Sequence, residues 1–378
     1  MQIAQVILQN SDDIPLKLDT LQPTNPNLLL VFGSATLLNS VAAPLAVMFP
    51  AAIRMGCSTA GEISGKGVSD NTCVVTAVRF EATQLVESSA RLLNMEDSQA
   101  AGRRLGQQLP KEGLRAVLIL GQGVAINGSA LIAGMTEILG ANILITGGLA
   151  GDAAAFVETW VLDKTGVHND HLVCVGLYGE RVGISHGSFG GWSPFGPARK
   201  VTRCDQNVLF ELDGESALDV YKRYLGEHAK DLPASGLLFP LAMLGRDHTD
   251  VGLIRTILGV DEKAGSLTLA GDIDPAGYFR LMHANTDALV EGAETAAQAA
   301  RNRVGCDRPS LALLVSCVGR KLVMGDRVDE EVEAVGAVFG QGAVLAGFYS
   351  NGEISPLTGH VACKLHNQTM TITHIAEM

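Results

Sequence analysis

The stretch Gly56–Ser64, GCSTAGEIS, returns as Gly347–Ser355, GFYSNGEIS, with the starts 291 positions apart. Both obey the pattern Gly-x-x-[Ser/Thr]-x-Gly-Glu-Ile-Ser, and each follows an apolar run, LLLVFGS (28–34) or LALLVSC (311–317), after a connection long enough for one helix. A further strand-like run comes after each copy, CVVTAVRF (73–80) and TMTITHI (369–375). Each copy therefore reads as the end of a strand, helix, strand unit, and the chain contains related modules.

Similar alternation occurs at AVLILG (116–121), SALIAGMTEILG (129–140) and NILITGG (142–148), which signals crossover connections and partly parallel sheets. Between 153 and 202 short strand-like pieces separated by polar or glycine turns predict antiparallel pairing. NVLFELDGESALDVYKRYLGEHAK (207–230) reads as a strand, an Asp213-Gly214 turn and a helix from about Ser216. TDALVEGAETAAQAARNR (286–303), with acids early and arginines late, predicts another helix. The fold class expected is α/β: two related modules, 1–200 and 201–378, with mixed sheets, strand-helix-strand repeats and a mostly antiparallel middle region. As a guide, length suggests two domains, or three.

Bulk properties narrow the function. A formal charge of −12 without a basic stripe disfavours nucleic acid and anionic lipid. The apolar stretches 21–53 and 116–136 are broken by Asn, Gln, Pro or Gly, so neither reads as a bilayer span. The opening MQIAQVILQNSDD has no signal-peptide pattern, and seven cysteines without C-x-x-C, most beside strand-like runs, suit reduced thiols in a cytoplasm.

Several motifs together resemble the FIST proteins, which carry an amino-terminal and a carboxy-terminal FIST domain: GCSTAGEI, ITGGLAGDAAAFVETWVL (145–162), NVLFELDGESALDVY, SCVGRKLVMGDRVDEE (316–331) and GFYSNGEISP followed by LHNQT. The resemblance implies an intracellular sensory module that binds a small ligand, such as an amino acid, without catalysis. GW-x-P-FG (191–196) is similar to a free-standing subset, which implies haem b, nitric oxide sensing, and a partner histidine kinase or cyclic-di-nucleotide enzyme.

Candidate residues follow, each with a plainer alternative. Among nine histidines, His186 in VGISHGSFGGW is the expected haem iron ligand, with Trp192 and Phe195 packing on the porphyrin; His283 and His366 follow. The alternative is a strand-end histidine with aromatics at a domain seam. Glu62 and Glu353 either face a ligand at strand ends or accept hydrogen bonds from nearby turns. Beside the second copy, Tyr349, Asn351 and Arg320 join Glu353 as expected ligand contacts, Arg320 either binding an anionic group or bracing a turn with Glu330.

Other motifs are weaker. HVACKLH (360–366) offers His360, Cys363 and His366, but in a strand the cysteine points away from both histidines. VHNDH, with His168 and His171, reads as a polar turn. Cys57 has no histidine marked as its base, so it reads as a small buried thiol. LILGQGVAINGSALIAG (118–134) resembles a strand, glycine-rich turn and helix, yet Ile126 stands where G-x-G-x-x-G needs its third glycine.

Overall fold

A computed structural model of the chain describes residues 1–301, 309–359 and 361–378. Cys306, His360 and the end of the helix expected over 286–303 lie outside the described residues.

The strand-helix-strand unit occurs three times. In the first, strands Leu28–Gly33 and Ile53–Ser58 run parallel about helix Ala35–Met48. In the second, Leu114–Gly121 and Leu144–Leu149 flank helix Gly128–Leu139. In the third, Ser310–Cys317 and Ala343–Ser350 flank helices Val318–Met324 and Asp329–Phe339. Each parallel pair is extended on one side by an antiparallel pair that opens and closes its unit: Gln2–Leu8 with Cys73–Arg79, Gln84–Arg91 with His171–Tyr178, and Val182–Phe189 with Met370–Glu377.

On the other side of each parallel pair sits a hairpin lent by a different unit. The first unit's hairpin, Glu62–Ser64 and Gly67–Ser69, extends the third sheet. The second's, Val161–Asp163 and Gly166–His168, extends the first. The third's, Gly352–Pro356 and Cys363–His366, extends the second. The exchange is cyclic, so the three sheets interlock.

The pattern of burial explains the apolar runs. Leu28, Leu30 and Phe32 point to a central core where they meet Leu118, Leu120, Leu313, Val315 and Phe348, the rings of Phe32 and Phe348 stacking at 4.8 Å. Leu29 and Val31 point outward beneath Leu38, Val41 and Leu45 of the covering helix. A strand buried on both faces has no polar side, so alternation vanishes.

The glycine that opens each motif copy also has a geometric cause. A Cβ on Gly56 would stand 2.2 Å from the Val31 oxygen, on Gly147 1.8 Å from that of Ile119, and on Gly347 1.9 Å from that of Leu314. In all three units the parallel strands approach too closely for any side chain there. The middle copy, around Gly147, has lost the glutamate, so the repeat was visible in sequence only as a pair.

Residues 199–283 form an insertion in the third unit, with its own core of Leu209, Tyr221, Leu241, Leu267, Phe279 and neighbours. As read from sequence, strand Val208–Leu212 turns at Asp213-Gly214 into helix Ala217–Leu225, capped by Ser216 Oγ accepting from the Asp219 N–H at 3.2 Å. Pairing from Val161 to His283 is antiparallel throughout.

Candidate functional site

Where the insertion leans on the second and third units it leaves a cavity of about 650 Å³. The second unit supplies Gly123, Val124 and Ile126 from the loop after strand Leu114–Gly121, Asn127 and Gly128 at the next helix's start, and Phe156. From the third unit come Asn351, Leu365 and Asn367, and from the insertion Asn207, Leu237, Ile257 and the Leu269–Gly271 turn. The site thus sits beyond the carboxyl end of a parallel pair, where α/β sheets place ligands.

The lining is mostly apolar, with amides at a few points. Asn351 Nδ2 donates to the Gly123 carbonyl at 3.2 Å, which fixes the amide's orientation. Its Oδ1 is buried and, among the described residues, has no hydrogen-bond partner; Asn367 Oδ1 is in the same position. A buried acceptor left unpaired costs about 1–3 kcal/mol, and both of these residues belong to the cavity wall. Asn127 caps the helix, its Oδ1 accepting from the Ala130 N–H at 3.0 Å, and donates to Asp272 at 3.2 Å. The helix start also presents positive dipole to the cavity.

Of the four residues expected beside the second motif copy, Asn351 alone lines this cavity. Glu353 is fully buried: Oε1 accepts from the Ser350 hydroxyl at 2.9 Å, and Oε2 from the Thr369 N–H at 3.1 Å and hydroxyl at 2.9 Å. Glu62 repeats the arrangement with Thr59 at 2.5 Å, and the Thr72 N–H at 3.0 Å and hydroxyl at 2.7 Å. Each glutamate latches the end of its parallel strand to the start of its unit's closing strand. Burial pushes the Glu62 carboxyl up, and that of Glu353 up to about 8, against the hydrogen bonds that favour the charged form.

Arg320 and Tyr349 are also fully buried and meet at another acid. Arg320 pairs with Glu331 at 2.7 Å, not with Glu330, and gives further bonds to the carbonyls of Leu289, at 2.8 Å, and Gly190. Glu331 also accepts from the Tyr349 and Ser316 hydroxyls. Glu330 lies one helix position away on the exposed side, with Arg327 at 2.7 Å. Fully buried and with all three guanidinium nitrogens bonded to protein oxygens, Arg320 braces three elements.

His186, Trp192 and Phe195 do not converge on the cavity. His186 is buried on strand Val182–Phe189, which packs so tightly on helix Thr286–Arg301 that a Cβ on Gly187 would stand 2.0 Å from the Ala296 oxygen. Trp192 donates its indole N–H to the Gln368 carbonyl at 2.8 Å, and Phe195 is exposed, edge-on to the also exposed His283 at 5.8 Å. Among the described residues no histidine lines the cavity. The residues present do not fit a macrocycle held by His186. His366 is likewise committed, its Nε2 2.8 Å from the Ser355 oxygen, and it sits across the strand from Cys363. Cys57 is fully buried and its thiol pushed well up, which leaves it protonated at neutral pH.

The FIST N domain matches residues 27–215 and the FIST C domain 217–356, most of the chain between them. The chain belongs to the FIST family. FIST domains are sensory, ligand-binding domains. Two uncharacterised proteins of Mycobacterium tuberculosis, from two strains, are each 27% identical over 190 residues, covering 48% of this chain and 48% of theirs. The FIST chain thus matches about half the length of these curated relatives. Among solved structures, a cyanuric acid hydrolase from A. caulinodans covers 100% of this chain and 98% of its own at 10% identity, TM-score 0.39. A second cyanuric acid hydrolase covers 100% and 99% at 11%, TM-score 0.36.

What the sequence missed in this FIST protein is most of the cavity wall. The glycine-rich turn 121–128 was legible as a turn before a helix, and Asn367 lies in the LHNQT motif. Asn207, Leu237, Ile257 and Leu269 carry no pattern of their own, and only the docking of the insertion makes them neighbours.

Proposed function

We propose that this FIST protein senses a small organic molecule bound in the 650 Å³ cavity, one with an apolar body and an N–H or O–H donor group. The observation that carries the reading is a mostly apolar wall that includes Asn351 and Asn367, each with a buried amide oxygen unpartnered among the described residues. The volume falls within the range of about 300–1,000 Å³ usual for ligand pockets. Amino acids with apolar side chains are the first probes to try. Their ammonium suits the two amide oxygens, their carboxylate the helix start at Asn127–Gly128, and their side chain Leu149, Leu237, Leu269 and Leu365.

A ligand here touches the insertion and two units together, so it biases how they pack. That shift would alter a surface read by a partner signalling enzyme in the cytoplasm, a histidine kinase or a cyclic-di-nucleotide enzyme. Among the described residues no helix is long and apolar enough to cross a membrane.

The test is thermal unfolding against a panel of amino acids and small amides. At a hundredfold excess over Kd, binding to the native state adds about 2.7 kcal/mol, which is a rise of a few degrees in Tm. Asn351→Leu should weaken the best hit about tenfold, the worth of one directed hydrogen bond. No stabilisation by any member, or equal stabilisation of the variant, would count against the reading. Haem with nitric oxide has the weaker footing, since its expected ligand lies away from the cavity; a Soret band on adding haemin that His186→Ala removes would restore it.

A further inference from the structure

The hairpin that the second unit lends to the first sheet brings together three residues remote from the cavity. In its register Val161 faces His168 and Asp163 faces Gly166, so Asp163 and His168 lie on one face. The chain then turns through Asn169 and Asp170, and His171 folds back on His168, ring centroids 4.0 Å apart. One ligand atom from each of Asp163, His168 and His171 lies within 4.8 Å of the others.

Two further features distinguish this cluster from an ordinary polar turn. Asp163 is 1% exposed; its Oδ1 accepts from the Thr165 N–H at 2.7 Å and hydroxyl at 2.5 Å and stands 3.7 Å from His168 Nε2. Its Oδ2 is buried with no hydrogen-bond partner among the described residues, and no Lys or Arg nitrogen there comes within 4 Å of the carboxylate. A buried carboxylate oxygen left this way costs several kcal/mol unless a cation joins it. His171 Nδ1 lies 2.7 Å from Asp170 Oδ1, the carboxylate-histidine pairing that orients a metal-ligating imidazole through its other nitrogen. A cavity of about 350 Å³ lined by Asp163, Thr165, Arg54 and Lys164 adjoins the carboxylate's side of the cluster.

We propose that Asp163, His168 and His171 bind a divalent first-row transition ion of the zinc class, which fastens the exchanged hairpin to the strand that follows it. Two imidazoles and a carboxylate are the donor set such ions prefer. Ligands about 2.1 Å from a tetrahedral ion stand about 3.4 Å apart, so closing the site moves these atoms by about 1.4 Å at most. The half-buried histidines flanking a turn have room for that.

The test uses untagged full-length protein stripped with EDTA, zinc(II) titrated in competition with a chromophoric chelator, and cobalt(II) as a spectroscopic substitute. One equivalent should bind, the cobalt form should show visible d–d bands without thiolate charge transfer, and zinc should raise Tm. His168→Gln and His171→Gln should each weaken uptake more than tenfold, and Asp170→Asn about tenfold. Uptake unchanged in both histidine variants overturns the proposal. So does a wild-type chain that takes no zinc from the chelator or gives no cobalt d–d band, a result that does not depend on any variant folding.

Discussion

Glu353 accepts three hydrogen bonds where no water reaches, and burial outweighs them, lifting its carboxyl to about 8. An ordinary glutamate in the unfolded chain ionises near 4.3. Between those values the folded state holds a proton that the unfolded state has released, so stability from this group falls as pH rises, and levels off above about pH 8. His366 and His374 work oppositely: burial lowers both to about 4, so from about pH 4 to 6.5 the unfolded chain binds more protons and stability rises with pH. The difference between wild type and Glu353→Gln isolates the first effect, because the histidines cancel. In urea unfolding the variant should gain on wild type by a few kcal/mol from pH 5 to 8 and hold that margin at pH 9. A pH-independent difference would contradict the assignment. The same residue shows how a shared motif misleads. Repeated acids at strand ends read equally as ligand groups or as latches, and only their partners Thr72 and Thr369, one residue before each closing strand, settle them as latches.

At the scale of the element, the decisive contacts are backbone against backbone. Gly347→Ala would drive a Cβ to 1.9 Å from the Leu314 oxygen in the middle of a parallel pair, and the strands must part to admit it. The expected loss is about 3 kcal/mol, at the upper end for overpacking. Gly336→Ala, on helix Asp329–Phe339 with its nearest neighbour at 3.6 Å, should instead gain about 0.5–1 kcal/mol through helix propensity. Chemical denaturation of the pair checks both signs, and a neutral Gly347→Ala would mean that the close approach is not real. These elements were legible in sequence because doubly buried strands leave unmistakable apolar runs, as in LLLVFGS and LALLVSC. The exchange of hairpins was not. Glu62–Ser64 is three residues long, and nothing in a three-residue strand states which sheet edge it will join. The second unit's kinship to the repeat is hidden for a related reason: ITGGLAGD keeps the glycine that strand packing demands, but Asp152 there ties down its own loop by accepting from the N–H groups of Phe156, Val157 and Glu158.

At the scale of the whole molecule, three interlocked units share one central core, and the insertion of residues 199–283 is the part whose docking builds a cavity. The cavity wall draws on segments distant in sequence: the turn at 121–128, the motif residue Asn351, and the insertion's 233–237 and 269–271. A sequence can mark one such segment by its repeat, as it did for Asn351, but carries no sign that the others will face it. That convergence gives the account its most direct test, hydrogen exchange followed by mass spectrometry with and without the best stabilising ligand. Ligand should slow exchange together in peptides covering 121–128, 233–237, 269–271 and 351–353, leaving 182–195 unchanged. Protection confined to 182–195, around His186 and Trp192, or spread over none of the four converging segments, would contradict it.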